Sequence, residues 1–328
     1  MIDTYGRKIE YLRISVTDRC NLRCIYCMPE NGVDLLSHNE ILTFEEIIRV
    51  AKTSAKLGIN KIRITGGEPL ARRGVIKLIK NIKSIPGIEE VSMTTNGIFL
   101  EKYIDDLADS GLDRINISLD TLNKERYKII TRNGNLGKVL NGIHLAFEKG
   151  IMPIKLNVVI IKEMNYSEII NFVELSEELP IDIRFIELMP IGEGKNFTSV
   201  SNDEIKEEIF KYRTLVPYVH KKSSGPATYF KTPNSKGSIG FISAMSHEFC
   251  DKCNRIRLTA DGFLKLCLHF NTGIDLKKYL RNGVEDTELL QIISEAVKQK
   301  PIRHKMNNRF QSETDLELDK RNMFQIGG

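Results

Sequence analysis

The chain has no tryptophan, and none of its six cysteines lies outside two tight groups. No run approaches the roughly 18 apolar residues that a membrane-spanning helix needs, so no membrane partner is expected. The opening MIDTYGRKIEYLRIS holds no apolar core between a basic segment and a cleavage site. No secretion signal is therefore expected, and the cytoplasm is the expected location. An excess of one charge is missing too: 48 Lys and Arg against 43 Asp and Glu leave a formal net charge of +5. With no clustered Lys/Arg run and no tryptophan to stack on bases, a nucleic-acid partner is not expected. Low-complexity blocks and heptad arrays are absent. What is present, 328 residues at 41% hydrophobic and 28% charged, is ordinary globular composition. It is enough for one large domain, or one domain with an appendage.

From residue 9 to about 190, strand-like and helix-like segments alternate. Strands are expected at EYLRISV, KIRITGG, EVSMTTNG, RINISLD, PIKLNVVII and DIRFIELMP. Helical patterns such as TFEEIIRVAKTSAKLG and LEKYIDDLADSG lie between them, with Gly58, Gly111 and Gly150 as C-caps. This alternation is the signature of βα units and a parallel sheet. No similar repeat continues past about residue 195. There SVSNDEIKEEIFKYRT reads as a helix, and the Gly-, Pro-, Ser- and Thr-rich stretch up to Ser246 as a hairpin or loop. RIRLTADGFLKLCLH reads as two short strands turned at Asp261-Gly262, and residues 275–304 read as helical. Two domains are expected, an α/β partial barrel over 1–235 and an α+β region over 236–328.

Buried parallel strands normally read as near-continuous apolar runs. These alternate instead: Lys61, Arg63 and Thr65; Arg114, Asn116, Ser118 and Asp120; Lys155 and Asn157. Residues two apart share a strand face, so each row points one way. A closed eight-stranded barrel would fill its middle with branched side chains. About six strands with a polar interior predict an incomplete (β/α) barrel holding a ligand. An antiparallel sheet with these positions in solvent is the alternative, and the intervening helices argue against it.

Thiols in a cytosolic chain stay reduced, so disulfides are not expected. Cys20, Cys24 and Cys27 form C-x3-C-x2-C after the first strand, and Cys250, Cys253 and Cys267 form C-x2-C-x13-C. Zinc would want four ligands, with His38 available to the first group and His247 or His269 to the second. Three thiolates can instead hold three irons of a [4Fe–4S] cluster and leave the fourth iron open to a small ligand. Two such trios with no thiol to spare predict two clusters, the second open iron serving a substrate with a lone-pair donor. Arg255 and Arg257 share a strand face beside the second trio. With Arg13, Lys61, Arg63, Lys155 and Arg184 on the inward rows they make seven cations whose mutual repulsion calls for a polyanion. A nucleoside triphosphate suits that requirement.

CNLRCIYC, from Cys20 to Cys27, resembles the CxxxCxxC loop of the radical S-adenosylmethionine (SAM) superfamily. Gly66-Gly67-Glu68-Pro69 after the second strand resembles that superfamily's GGEP element. Together with MTTNG, INISLDTL, FIELMPIG, FCDKCNRIRLTADG and the terminal Gly327-Gly328, essentially the whole chain resembles the molybdenum cofactor biosynthesis protein A family, the GTP 3′,8-cyclases. The resemblance implies a C-terminal region that closes the barrel and carries a second cluster, two [4Fe–4S] clusters with three cysteine ligands each, and SAM as cofactor. It implies catalytic roles for the six cysteines and Arg13, and SAM contacts at Tyr26, Gly66, Gly67, Glu68, Ser118 and Met189. GTP contacts are implied at Arg13, Lys61, Arg63, Thr94, Lys155, Arg184, Arg255 and Arg257. Plainer readings stay open for some of these: a turn at Gly66-Gly67, loop packing for Tyr26, a core filler in Met189.

The implied activity is that of a radical SAM lyase. A 5′-deoxyadenosyl radical takes the ribose 3′ hydrogen of GTP, and the C3′ radical attacks guanine C8. The product is (8S)-3′,8-cyclo-7,8-dihydroguanosine 5′-triphosphate, in the first step of molybdenum cofactor biosynthesis. Implied partners are a reduced flavodoxin- or ferredoxin-like electron donor and a downstream cyclic pyranopterin monophosphate synthase. A monomer and a homodimer are both compatible with the sequence. The Gly-Gly tail is implied to enter the active-site pocket. Other readings are a radical SAM enzyme acting on a peptide or RNA, and a non-catalytic zinc or iron–sulfur scaffold.

Overall fold

The computed structural model describes residues 1–219, 225–304, 306 and 317–327. β1 (Tyr11–Ser15) leads through the first cysteine loop to α1 (Phe44–Lys56), followed by β2 (Lys61–Thr65), α2 (Val75–Lys83) and β3 (Glu90–Thr95). Next come α3 (Leu100–Asp109), β4 (Arg114–Ser118), α4 (Lys124–Thr131), α5 (Leu136–Glu148) and β5 (Ile154–Val159). The repeats end with α6 (Ile169–Glu178) and β6 (Asp182–Ile186), so each of the six expected strands lies within its expected segment. Local chemistry sets the helix boundaries. At the start of α1, Thr43 Oγ1 accepts from Glu46 N (3.1 Å) and Glu46 Oε2 accepts from Thr43 N (2.7 Å), a reciprocal capping box. Gly58, Gly111 and Gly150 follow the ends of α1, α3 and α5 as expected.

The remaining chain forms α7 (Asn202–Phe210), β7 (Val216–Tyr218), β8 (Thr228–Lys231) and β9 (Ser238–Ile242). Then follow β10 (Arg255–Leu258), β11 (Phe263–Lys265), β12 (Gly273–Asp275), α8 (Leu276–Arg281), α9 (Asp286–Lys298) and α10 (Met323–Ile326). The strands make one 12-stranded sheet, ordered β12-β11-β10-β1-β2-β3-β4-β5-β6-β9-β8-β7. It has two ends, β12 and β7, and is therefore an open barrel. β9 pairs parallel to β6 and β10 parallel to β1, which extends the parallel set beyond the six repeats. No βα pattern announces these two strands, because β9 arrives through an antiparallel hairpin with β8 and β10 directly from the second cysteine loop. The boundary expected at 235/236 falls inside that hairpin. The helical reading of 275–304 is corrected to α8 and α9, separated at 282–285 where Gly283 takes φ +77°, with 299–304 outside any helix.

Strand alternation sorts the side chains into two layers. Leu12, Ile14, Ile62, Ile64, Ile115 and Ile117 are fully buried in the core that the helices cover. Ile47 and Val50 of α1, Ile79 of α2 and Phe172 of α6 belong to the same core. The opposite rows are polar and stand in register, with Arg13 beside both Arg257 and Arg63, and Arg63 beside Ser92. No helix among the described residues is long and apolar enough to cross a membrane.

Lys155, on the same inward face, is 1% exposed and lies 2.8 Å from Asp182 Oδ2. Its Nζ also donates to the Tyr229 hydroxyl (3.1 Å), and Asp182 Oδ1 accepts from Ser238 Oγ (2.6 Å). Removing one partner of a buried ion pair leaves the other charge uncompensated. Lys155→Met is expected to destabilise the fold by about 3–5 kcal/mol, read as a drop in the denaturant midpoint of the metal-free protein.

Candidate active site

β1 feeds the first cysteine loop, which lies over the carboxyl ends of the neighbouring parallel strands. Cys20, Cys24 and Cys27 line a cavity of about 210 Å³ together with Tyr26, Gly66 and Gly67. Ser118 at the end of β4 and Met189 after β6 complete the expected cofactor side of that cavity. Glu68 is the exception. It is 0% exposed and does not line the cavity; its carboxylate accepts from Leu70 N (3.0 Å), Thr95 Oγ1 (2.8 Å) and Asn96 N (2.8 Å). Burial raises its pKa to about 7. Glu68 therefore ties the end of β3 to the turn after β2.

The glycines owe their identity to the cysteine loop itself. A Cβ on Gly67 would stand 2.4 Å from Arg19 O, and one on Gly66 2.7 Å from Thr17 O. Gly67 N donates to Thr17 O (2.7 Å) and Glu68 N to Arg19 O (2.8 Å). Without side chains the turn lies flat against the entry to the loop. Tyr26 donates its hydroxyl to Asp120 Oδ2 (2.6 Å), while Asp120 Oδ1 accepts from Val159 N (2.9 Å). That commits the phenol oxygen and leaves the ring to wall the cavity. Burial raises Asp120 to about 6, Cys20 to about 11 and Cys27 to about 12, and pushes Cys24 well above the ordinary thiol value. A bound cation is what deprotonates such thiols.

Cys250, Cys253 and Cys267 line a second cavity of about 190 Å³. Arg13, Arg63, Arg184, Arg255 and Arg257 line it too, as expected. Among its described lining residues are nine Lys or Arg and no Asp or Glu. Burial, then the neighbouring Arg257 and Arg63, hold Arg13 well below the usual guanidinium range. Burial likewise brings Arg63 to about 9, and burial with Arg255 brings Arg257 to about 10. The thiols respond in opposite senses. Burial raises Cys250 to about 11. At Cys253 the same burial is outweighed by Lys300, Arg255 and Arg7, which bring it down to about 6.

Three expected substrate contacts fall elsewhere. Lys61 and Lys155 line neither cavity, and Thr94 opens onto the first, where its buried hydroxyl has no hydrogen-bond partner among the described residues. The two cavities adjoin, sharing Asn157, Ile186, Met189 and Met323 as lining. Asn157 Oδ1 accepts from Arg184 Nη2 (2.5 Å), which also donates to Asn116 (2.7 Å). The tail reaches the same place. Gly327, at φ +80°, has its carbonyl bonded to Arg257, and a Cβ there would lie 2.5 Å from Thr65 Oγ1. Gly327 thus enters between β1 and β2, whereas Gly328 lies outside the described residues.

Thiolates around one zinc stand about 3.8 Å apart, given Zn–S bonds of about 2.3 Å in a tetrahedron. Among the described residues, the one group whose ligand atoms all lie within 4.8 Å of one another is Glu248, Cys250 and His304. Both ring nitrogens of His304 are already engaged, Nε2 with Ala244 O (3.1 Å) and Nδ1 with Met306 N (3.2 Å). Neither cysteine trio has all three of its sulfurs within 4.8 Å of one another, so neither is drawn together around a single ion. Of the histidines considered for zinc, His38 lines neither cavity, and His247 is exposed and bonded to Asp203 (2.6 Å). His269 lines the second cavity.

Sequence reasoning missed Arg7, Lys300 and Met323 as lining residues, whereas Asn157 lies on an inward row as expected. Met323 sits in the NMF segment before Gln325, and its nearness to the double glycine was the one available signal. Nothing in the sequence places Arg7 or Lys300 beside the second trio.

Residues 14–176 match the family described as Radical SAM superfamily, and residues 181–306 match Molybdenum Cofactor Synthesis C. The chain is 49% identical over 329 residues to a GTP 3′,8-cyclase of Clostridium perfringens (strain 13 / Type A), covering 100% of both chains. It is also 49% identical over 330 residues to a GTP 3′,8-cyclase of Moorella thermoacetica, again covering 100% of both. Among solved structures, Streptococcus suis SuiB bound to S-adenosylmethionine aligns with TM-score 0.57 at 15% identity, over 80% of this chain and 60% of that one. SuiB bound to its precursor peptide SuiA aligns with TM-score 0.62 at 14% identity, over 94% and 69%. At these identities the structural likeness bears on the fold alone.

The packing of Gly67 against Arg19 gives a direct expectation. Gly67→Ala must displace the cysteine loop, so iron at the first trio is expected to fall by more than half while the second trio stays loaded. Iron analysis with electron paramagnetic resonance (EPR) on anaerobic protein reads both.

Proposed function

The chain belongs to the GTP 3′,8-cyclase family of the radical SAM superfamily, and we propose that it joins C3′ of the GTP ribose to guanine C8 at the start of molybdenum cofactor assembly. The observation that carries this reading is the second cavity, where a cysteine trio is surrounded by cations with no carboxylate among the described lining residues. A cavity of that charge favours a polyanion, and a cluster held there by three cysteines would favour a ligand with a lone pair; a purine nucleoside triphosphate offers both.

Cys20, Cys24 and Cys27 would hold one [4Fe–4S] cluster, and Cys250, Cys253 and Cys267 the other. With the first cluster reduced and SAM bound to it, the site supplies a 5′-deoxyadenosyl radical for removal of the ribose 3′ hydrogen. The protein's own part is placement. Gly66, Gly67, Ser118, Met189 and the Tyr26 ring shape the SAM side, and the Thr94 hydroxyl adds a donor there. Arg13, Arg63, Arg184, Arg255 and Arg257 hold the triphosphate. Asn157, Ile186, Met189 and Met323 line both cavities, so GTP bound in the second would turn its ribose toward the SAM side. Arg257, held at one end by the Gly327 carbonyl, keeps its remaining donors for phosphate.

In the same reading a reduced flavodoxin- or ferredoxin-like protein supplies the electron, and a cyclic pyranopterin monophosphate synthase takes the product. The reaction belongs in the cytoplasm, where the thiols stay reduced.

Anaerobic incubation with GTP, SAM and a reductant tests the proposal. The expected result is 5′-deoxyadenosine and a cyclised triphosphate in equal amounts, resolved by mass spectrometry; deoxyadenosine with unaltered GTP contradicts it. Arg255→Ala and Arg257→Ala are each expected to weaken GTP binding about 10- to 100-fold, the worth of one charged hydrogen bond, while SAM cleavage persists.

A further inference from the structure

Arg7 lines the second cavity among the arginines assigned to phosphate, yet it has nothing to offer a ligand. Its Nε donates to Asp3 Oδ2 (2.6 Å) and its Nη1 to Cys250 O and Ile302 O (2.9 Å each). Its Nη2 donates to Lys300 O (3.3 Å) and Pro301 O (2.8 Å). A guanidinium carries five N–H donors, and these five acceptors take one each. The charge is answered as well, since the Arg7 and Asp3 side chains are 6% and 0% exposed and paired. Asp3 is itself preset: its Oδ1 accepts from Tyr5 N (3.0 Å) and Arg7 N (2.9 Å).

The acceptors are what make the arrangement informative. Cys250 belongs to the second trio and stands 243 positions from Arg7 in sequence. The 300–302 segment reaches the other two cysteines through Lys300, whose Nζ donates to Arg255 O (2.9 Å) and to Leu266 O. Leu266 directly precedes Cys267, and Arg255 is two residues after Cys253. One planar fork thus links, directly or through Lys300, the backbone around all three thiols.

We propose that Arg7, oriented by Asp3, is a positioning residue for the second cluster: it fixes the three cysteine-bearing segments relative to one another, and so fixes where the open iron meets the substrate. Removing it would leave four carbonyls without their donor and free the Cys250 loop from the 300–302 segment. The four carbonyls, part-buried or buried, would have to find other partners, so the loop would rearrange rather than hold its geometry. The proposal rests on reading Cys250, Cys253 and Cys267 as a cluster site. Iron retention is measured without substrate, so a wrong assignment of GTP would not disturb it.

The test uses the full-length protein, reconstituted anaerobically as Arg7→Lys and Arg7→Ala beside the parent. Iron is counted and EPR spectra are recorded, with SAM and GTP added separately. Lysine keeps the charge but has three donors and no fork. Total iron is expected to fall from about eight toward about four per chain in both variants, as one of two four-iron clusters is lost. The SAM-dependent change of the first cluster's spectrum is expected to persist, and the GTP-dependent change to weaken at least fivefold in Arg7→Lys and vanish in Arg7→Ala. Full iron with an unaltered GTP-dependent spectrum in either variant would overturn the proposal. Equal loss from both sites would also overturn it, because Arg7 would then brace the whole fold.

Discussion

Arg257, Arg13 and Arg63 stand in register on three neighbouring parallel strands, and the cavity they line has no carboxylate among its described residues. Adjacent strands are about 4.8 Å apart. Two like charges held near 5 Å repel by about 3 kcal/mol at an effective dielectric of 20. Local contacts keep the arginines in place: Ser92 Oγ lies 3.3 Å from Arg63 Nε, Asn116 and Asn157 take Arg184, and the Gly327 carbonyl takes Arg257. All of these partners are neutral. They orient the guanidinium groups without cancelling their charge, which leaves the cavity poised for an anion. The outer face of the same strands is apolar and carries the fold, so the site is built from one half of an alternation whose other half is the core.

The two cysteine trios sit in different electrostatic settings, and the difference matches their tasks. Around the first, burial dominates and the thiols are pushed up together. Around the second, cations draw Cys253 down to about 6 while Cys250 rises to about 11. The environment that lowers Cys253 is also the one that attracts a polyanion. Met189 and Met323, unbranched and polarizable, border both cavities. The carboxyl end of the chain closes this junction, with Gly327 admitted between two strands where a side chain would strike Thr65.

Much of this was legible in the amino-acid order because it depends on short-range periodicity. The KIRIT and RINIS alternations announced inward polar rows, and the cysteine spacings announced two trios. Features set by long-range contact were not legible. β9 and β10 complete the parallel set without a βα pattern of their own, since their partners are distant strands. Glu68 sits in a motif that pointed to ligand binding, yet its carboxylate faces the backbone of β3 and its neighbours. Lys155 lies on an inward row as expected, but Asp182 from the next strand claims it. Gly66 and Gly67 carry an implied SAM contact, yet the atoms that a Cβ on either would strike belong to Thr17 and Arg19. In each case the residue type was informative and the partner was not, because the partner came from another part of the chain.

The central claim is that the cations lining the second cavity select a triphosphate. Equilibrium binding of GTP and of guanosine to the anaerobic, cluster-loaded protein, each measured across a series of salt concentrations, tests it most directly. GTP is predicted to bind at least a hundredfold tighter than guanosine, with an advantage that shrinks steadily as salt screens the phosphates. Equal affinity for the two, insensitive to salt, would contradict the account.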